Sequence, residues 1–250
     1  MADTIKTNIE IITTELIKIS VSKEVVIIAA SKTRSVDEIK QAILNGINDV
    51  GENYVQEAEA KFVELKRFLA DDKSANNGKN TNVKLHLIGH LQSNKAKKAV
   101  EIFDVIQTID SVKIAQIVND RAEAISKVIE VMIEVNIADE ENKHGCKIEE
   151  VEGIASEIFK MKNLKLIGLM TMGPVFEECG ENEKMEQTEK LRPYFRKMKN
   201  KFDEFNNKFA ASGFKLKYLS MGMSDSYQVA VEEGSNMVRI GTNIFGSREK

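Results

Sequence analysis

Lys32 stands just past an uninterrupted apolar run, Val25 to Ala30 (VVIIAA). A lysine leaving a buried strand has its amine desolvated or set near other cations. Either condition lowers its pKa and makes it a nucleophile able to form an imine with a carbonyl. Taken alone, the residue reads better as a surface lysine that snorkels. A second set of residues lies near the C-terminus: Met221-Gly222-Met223-Ser224, and Arg239-Ile240-Gly241-Thr242 running on to Phe245-Gly246. Glycines let backbone N–H groups approach an oxyanion, helix N-termini favour negative charge, and Ser224 and Thr242 add hydroxyl donors. Either segment by itself could serve only a turn or a cap; the pair points to phosphate. A reactive amine facing a phosphate cradle calls for a phosphorylated aldehyde or ketone. Two candidates fit: a sugar phosphate held by a Schiff-base aldolase, or pyridoxal 5′-phosphate (PLP).

These groups meet only if the elements between them bring them together. Ile5, Ile9, Ile12, Leu16 and Ile19 make one stripe of an amphipathic helix, with Asp3 as its cap. Val25–Ala30 reads as a strand buried on both faces, the mark of a parallel sheet. Ser35 and Glu38 form a capping box for the next helix, which Gly46 ends. Further strands are expected at 47–50, 83–88, 105–109, within 128–137, and at 164–169, 216–219 and 237–240. Helical patterns separate them, including 112–124, 148–161 and 226–233, and Pro193 starts or kinks a long helix. Residues 71–82 (DDKSANNGKNTN) read as a surface loop. Eight strands alternating with helices in 250 residues predict a single α/β domain over 1–250, a (β/α)8 barrel with an extra N-terminal helix over 1–20. An open doubly wound sheet is the alternative, since local pattern does not show closure. In a barrel the strand ends and the loops after them build the site. Those positions here are Lys32, Gly51-Glu52-Asn53, Gly89-His90, Thr108 and Asp110, Asn136, Thr171, Ser220 to Ser224, and Arg239 to Thr242.

Composition narrows the field. Thirty-six Lys and Arg against thirty-nine Asp and Glu leave a net charge of −3, without the clustered basic face that nucleic acid requires. No stretch suits a membrane span, and Glu10 and Glu15 interrupt any signal-peptide pattern. Cys146 and Cys179 are too few for a disulfide framework, which suggests a reducing cytoplasm. With three histidines and no CxxC pair, a Cys/His zinc site, or any metal site, is not expected.

Several blocks resemble the pyridoxal phosphate homeostasis proteins. They are Ala29-Ala30-Ser31-Lys32-Thr33, Gly51-Glu52-Asn53-Tyr54-Val55-Gln56-Glu57, the run from His86 to Lys95, Val135-Asn136-Ile137, Gly168 to Thr171, Ser220 to Ser224, and Val238 through Gly246. That family is similar to the N-terminal barrel of alanine racemase but lacks its second domain. The resemblance implies that Lys32 holds PLP as an internal aldimine, that Ser224, Gly241 and Thr242 bind its phosphate, that Arg239 faces the pyridine nitrogen, and that Asn53 lines the pocket. Leu85, the 71–82 segment and Ser226-Tyr227-Gln228 depart from the family pattern without touching those positions.

PLP drives amino-acid chemistry as an electron sink, which an arginine at the pyridine nitrogen weakens. A racemase also needs an acid/base on the second face of the substrate, and none of Tyr54, Tyr194, Tyr218 and Tyr227 is placed there by sequence. The expectation is therefore a monomeric carrier that stores PLP or delivers it to apo-enzymes. A racemase-like enzyme of low activity is the rival, and a sugar-phosphate aldolase a more distant one.

Overall fold

The computed structural model describes residues 2–20, 24–71, 83–174 and 187–247. Its eight strands are β1 Val26–Ala30, β2 Asp49–Glu52, β3 Lys84–Leu87, β4 Val105–Ile109, β5 Ile129–Glu134, β6 Leu164–Met170, β7 Tyr218–Met223 and β8 Met237–Ile240. They pair in parallel in sequence order and close on themselves, with β1 joined to β8 from Val26↔Met237 to Ala29↔Ile240. Closure excludes the open-sheet alternative.

Side chains alternate along each strand between two environments. Ile28, Val105, Met132 and Met237 form a small cluster inside the barrel. Ala29, Val131, Ile133, Val238 and Ile240 face outward into the larger layer beneath the helices. Two residues beyond Met132 and Met237, the same alternation aims Glu134 and Arg239 inward at the upper end. Continued past Ile28 and Ala30, it reaches Lys32.

The outer layer comprises α1 Ala2–Ile19, α2 Val36–Leu44, α3 Val55–Asp71, α4 Ala96–Ile102, α5 Val112–Glu123, α6 Val151–Ile158, α7 Arg192–Phe209, α8 Tyr227–Glu232 and α9 Thr242–Phe245. The expected α1 stripe is buried at Ile5, Ile9, Ile12 and Leu16, each contributing roughly 2 kcal/mol. It packs this helix on α2, α8 and α9, so α1 backs the C-terminal segment that carries Gly241 and Thr242. No described helix is long and apolar enough to cross a membrane.

Several boundaries differ from expectation. Helix α1 already includes Asp3, so that residue does not precede the helix as a cap. The Ser35–Glu38 capping box forms as expected. Pro193 sits in the first turn of α7, where its missing N–H costs nothing, and starts that helix. The 148–161 pattern splits into a 3₁₀ turn at Ile148–Glu150 and α6. Asp71 ends α3, and the rest of the expected 71–82 loop lies outside the described residues, as does Cys179. Strand β7 begins and ends later than the apolar pattern suggests, so Gly222 and Met223 belong to the strand. Gly51, Glu52, Thr108 and Arg239 likewise sit within strands and not after them.

Candidate functional site

The turn that carries Lys32 is held by polar contacts on both sides. The Ser31 hydroxyl lies 3.0 Å from Glu52 Oε1, and Lys61 Nζ donates to the Ser31 carbonyl at 2.8 Å. The same ammonium bridges Glu52 at 2.7 Å and Glu57 at 2.6 Å, while Glu57 accepts the Thr33 N–H at 2.6 Å. That last bond holds Thr33 at φ 65°, a left-handed conformation unusual for a residue with a branched side chain. Glu52 is fully buried; desolvation pushes its pKa up and Lys61 only partly offsets this. Between these fixed neighbours the half-buried Lys32 amine has no hydrogen-bond or ion-pair partner among the described residues.

The C-terminal segment reaches the same turn. Gly222 adopts φ +93°, and a Cβ there would lie 2.6 Å from Ala230 Cβ, so only glycine lets the end of β7 bend against α8. Just beyond the bend, the Ser224 hydroxyl accepts the Gly241 N–H at 3.2 Å, joining the two predicted phosphate segments. A Cβ on Gly241 would stand 3.2 Å from the Ala30 carbonyl, which shows how closely this backbone approaches the end of β1. Thr242 opens the short α9 and is exposed. Arg34 donates to the carbonyls of Phe245 and Gly246, and Asn8 of α1 donates to the Ile244 carbonyl at 3.0 Å. Lys32, Ser224, Gly241 and Thr242 thus occupy one side of the barrel mouth, around β7, β8 and β1.

Arg239 lies below them, 2% exposed. It donates to Ser220 Oγ at 2.6 Å and to the Thr171 carbonyl at 2.8 Å. Burial lowers its pKa to about 10, which leaves it cationic at neutral pH. From Ser220 the bonds continue through the barrel: to Gln107 Oε1 at 2.8 Å, from Gln107 Nε2 to His86 Nδ1 at 3.0 Å, and from His86 Nε2 to Asp49 at 2.8 Å. The Gln107 carboxamide sets the directions: its Oε1 accepts from Ser220 and its Nε2 can only donate to His86 Nδ1, so His86 Nε2 donates to Asp49.

Asn53 lies across the mouth, on the wall of a cavity of about 580 Å³ bordered also by His90, Glu134, Asn136, Lys143 and Thr171. Met223 touches this cavity next to Ser224, and Thr171 touches it above Arg239. Lys32, Ser224, Arg239, Gly241 and Thr242 do not border it. Glu134 carries little signal in the sequence, as a lone acid within the mostly apolar run Val131–Ile137. Its Oε2 is buried without a hydrogen-bond partner, and burial raises its pKa to about 7 despite the pull of Arg239. Between the ordinary carboxylate range and pH 7 the folded chain therefore keeps a proton that the unfolded chain releases. Stability falls as pH rises through that window. In the protein without added ligand, Glu134→Gln should raise stability at about pH 8 by up to about 3 kcal/mol and flatten the decline of Tm from about pH 5 upward. Parallel melting curves for the two proteins would expose an error in this assignment.

A closed parallel barrel with an amine off β1 and a glycine-bordered tail after β8 defines a class, the barrel of the alanine racemase N-terminal domain. Residues 2–249 match the family described as alanine racemase, N-terminal domain. The chain belongs to the pyridoxal phosphate homeostasis protein family: it is 37% identical over 223 residues to the pyridoxal phosphate homeostasis protein of Pasteurella multocida, a match spanning 89% of this chain and 86% of that one. Among solved structures it is similar to PipY of Synechococcus elongatus with PLP bound, at 27% identity and a TM-score of 0.78, covering 97% of this chain and 100% of that chain. Alanine racemase from Clostridium difficile shares the fold at 15% identity and a TM-score of 0.66; this chain is matched over 99% of its length but spans 60% of that enzyme.

Proposed function

We propose that this chain binds PLP reversibly through Lys32 and acts in PLP homeostasis as a carrier, storing the aldehyde or handing it to apo-enzymes, without turning over a substrate. The observation that carries this reading is the Lys32 turn: an unpartnered amine at the barrel mouth, on a backbone braced by Glu52, Glu57 and Lys61, next to the strand end that Gly241 touches. The donor set fits the cofactor. An amine suits its aldehyde, while the Ser224 and Thr242 hydroxyls and the close backbone at Gly241 suit its phosphate. The similar structure of PipY, solved with PLP bound, supports PLP as the ligand.

When bound, PLP supplies an aldehyde that condenses reversibly with primary amines. The residues of the chain govern how that aldehyde is held and how far its reactivity goes. Arg239 has no lone pair to share, so toward a pyridine nitrogen it could act only as a donor, which would leave that nitrogen unprotonated and limit electron withdrawal. Lys32 is the residue that would hold the aldehyde, and exchange with a competing amine would free the Lys32 amine again. Asn53 lines the approach from the opposite wall. The four tyrosines do not provide a buried second acid/base. Tyr54 borders the cavity but is 61% exposed, and the Tyr227 hydroxyl is committed to Glu15 of α1. Tyr218 lines a separate pocket at the opposite end of the barrel, and Tyr194 packs against the helical layer.

Incubating PLP-loaded protein with single enantiomers of amino acids tests the absence of turnover. The expected result is no stereochemical inversion above the background of free PLP, and inversion that depends on Lys32 would refute the carrier reading in favour of a racemase. Borohydride reduction with a panel of sugar phosphates should leave Lys32 unlabelled, whereas labelling would support the aldolase alternative.

A further inference from the structure

The loops after β3, β4 and β5 bring together three side chains that the PLP reading does not use. His90 and His144 stack with ring centroids 3.6 Å apart and planes 9° from parallel. Asp110 Oδ2 lies 3.6 Å from His90 Nδ1, and one donor atom from each of the three residues falls within 4.8 Å of the others. Each member also has a fixed base. The Gly89 carbonyl before His90 accepts from Thr108 Oγ1 at 2.9 Å, and Ser111 donates to Asp110 Oδ1 at 3.0 Å, leaving Oδ2 for His90. Asn136 holds the loop that ends in His144 by donating to the Glu140 carbonyl at 2.8 Å, and Cys146 N–H bonds the Glu134 carbonyl at 2.9 Å.

We propose that His90, His144 and Asp110 form a site for a borderline divalent transition metal of the zinc class, with its remaining coordination positions open to the cavity. Two imidazoles and one carboxylate form a donor set for such ions, whereas magnesium and calcium prefer oxygen alone. Bonds of about 2.1 Å in a tetrahedral site separate neighbouring ligands by roughly 3.4 Å, close to the spacing of His90 and Asp110; because ring lone pairs lie in the ring plane, the two exposed imidazoles must unstack by side-chain rotation for His144 to converge on the same ion. Both histidines border the cavity, so water or an anionic group of a cavity ligand could complete the sphere. The site departs from the sequence expectation of no metal, which weighs the histidines with the cysteines and not with Asp110. Cys146 takes no part: it is buried, and its thiol is pushed up to about 12 by that burial.

Cobalt(II) titration of chelator-treated protein, monitored by absorption and competed with zinc(II), tests this without reference to PLP. One equivalent should bind and develop the visible bands of a low-coordinate site. Each of His90→Ala, His144→Ala and Asp110→Asn should weaken binding at least about tenfold, with about 1.4 kcal/mol per tenfold step. Histidine proton NMR of the unaltered protein gives a readout independent of any variant. Zinc should shift the ring signals of His90 and His144 and leave buried His86 in place. Failure to bind one equivalent, or binding that survives the His90→Ala, His144→Ala double substitution, overturns the site while leaving the PLP assignment untouched. Loss of the Lys32-dependent colour with metal binding intact would do the reverse.

Discussion

Lys32→Ala should give a colourless protein that retains its fold. The visible absorption of lysine-bound PLP should disappear, and affinity for PLP, measured by equilibrium dialysis, should fall at least about a hundredfold, equivalent to about 2.8 kcal/mol. The residual affinity would come from the donors around Ser224, Gly241 and Thr242. Melting temperature without ligand should barely move. The amine is unpartnered, and the turn is braced through Ser31, Thr33 and their partners, so substitution removes no structural contact. A Lys32→Ala protein that stays yellow after gel filtration would place the covalent link on another amine.

The largest stability effect should come from Lys61, a residue that does not border the cavity. Lys61→Met leaves Glu52 buried beside Ser31 with its cationic partner gone. Breaking one side of a buried pair costs roughly 3–5 kcal/mol, a Tm decrease on the order of 10 °C for a chain of this size. Adding Glu52→Gln should recover much of the loss, because the remaining carboxamide needs no counter-ion. PLP affinity should also fall in the single variant, since the Ser31 carbonyl and Glu57 lose the ammonium that anchors the Lys32 turn. A loss below about 1 kcal/mol would show that water satisfies Glu52 in place of Lys61, and no rescue by Glu52→Gln would place the cost elsewhere than in the unpaired carboxylate.

Sequence pattern reveals the elements that obey a simple period. The α1 stripe is evenly spaced and the VVIIAA run uniformly apolar, and a helix and a strand are seen there; strands also stand at 105–109 and 237–240, although Gln107, Thr108 and Arg239 interrupt their apolar residues. Misreadings fall where the upper end of the barrel admits polar residues. Hydropathy ends the seventh strand before Ser220, yet β7 runs on through Ser220 and Gly222, because the interior there offers Gln107 and Arg239 as partners and not hydrocarbon. Glu52 reads as loop for the same reason; its partner Lys61 lies on the next helix, nine positions away, and hydropathy carries no trace of their pairing. Among the site residues, the tie between Ser224 and Gly241 is legible from two glycine-bearing segments considered together. The union of His90, Asp110 and His144 is not, because three separate loops supply it and only barrel closure makes them neighbours.

The run of hydrogen bonds from Arg239 to Asp49 has a consequence for charge movement along the barrel axis. Its middle link is the carboxamide of Gln107, and an amide relays a proton only by passing through a high-energy imidic tautomer. The chain is therefore polarised from end to end but does not conduct protons. A change of charge in the lower opening would alter the electrical potential felt by Arg239, yet this chain would carry no hydron between the two ends.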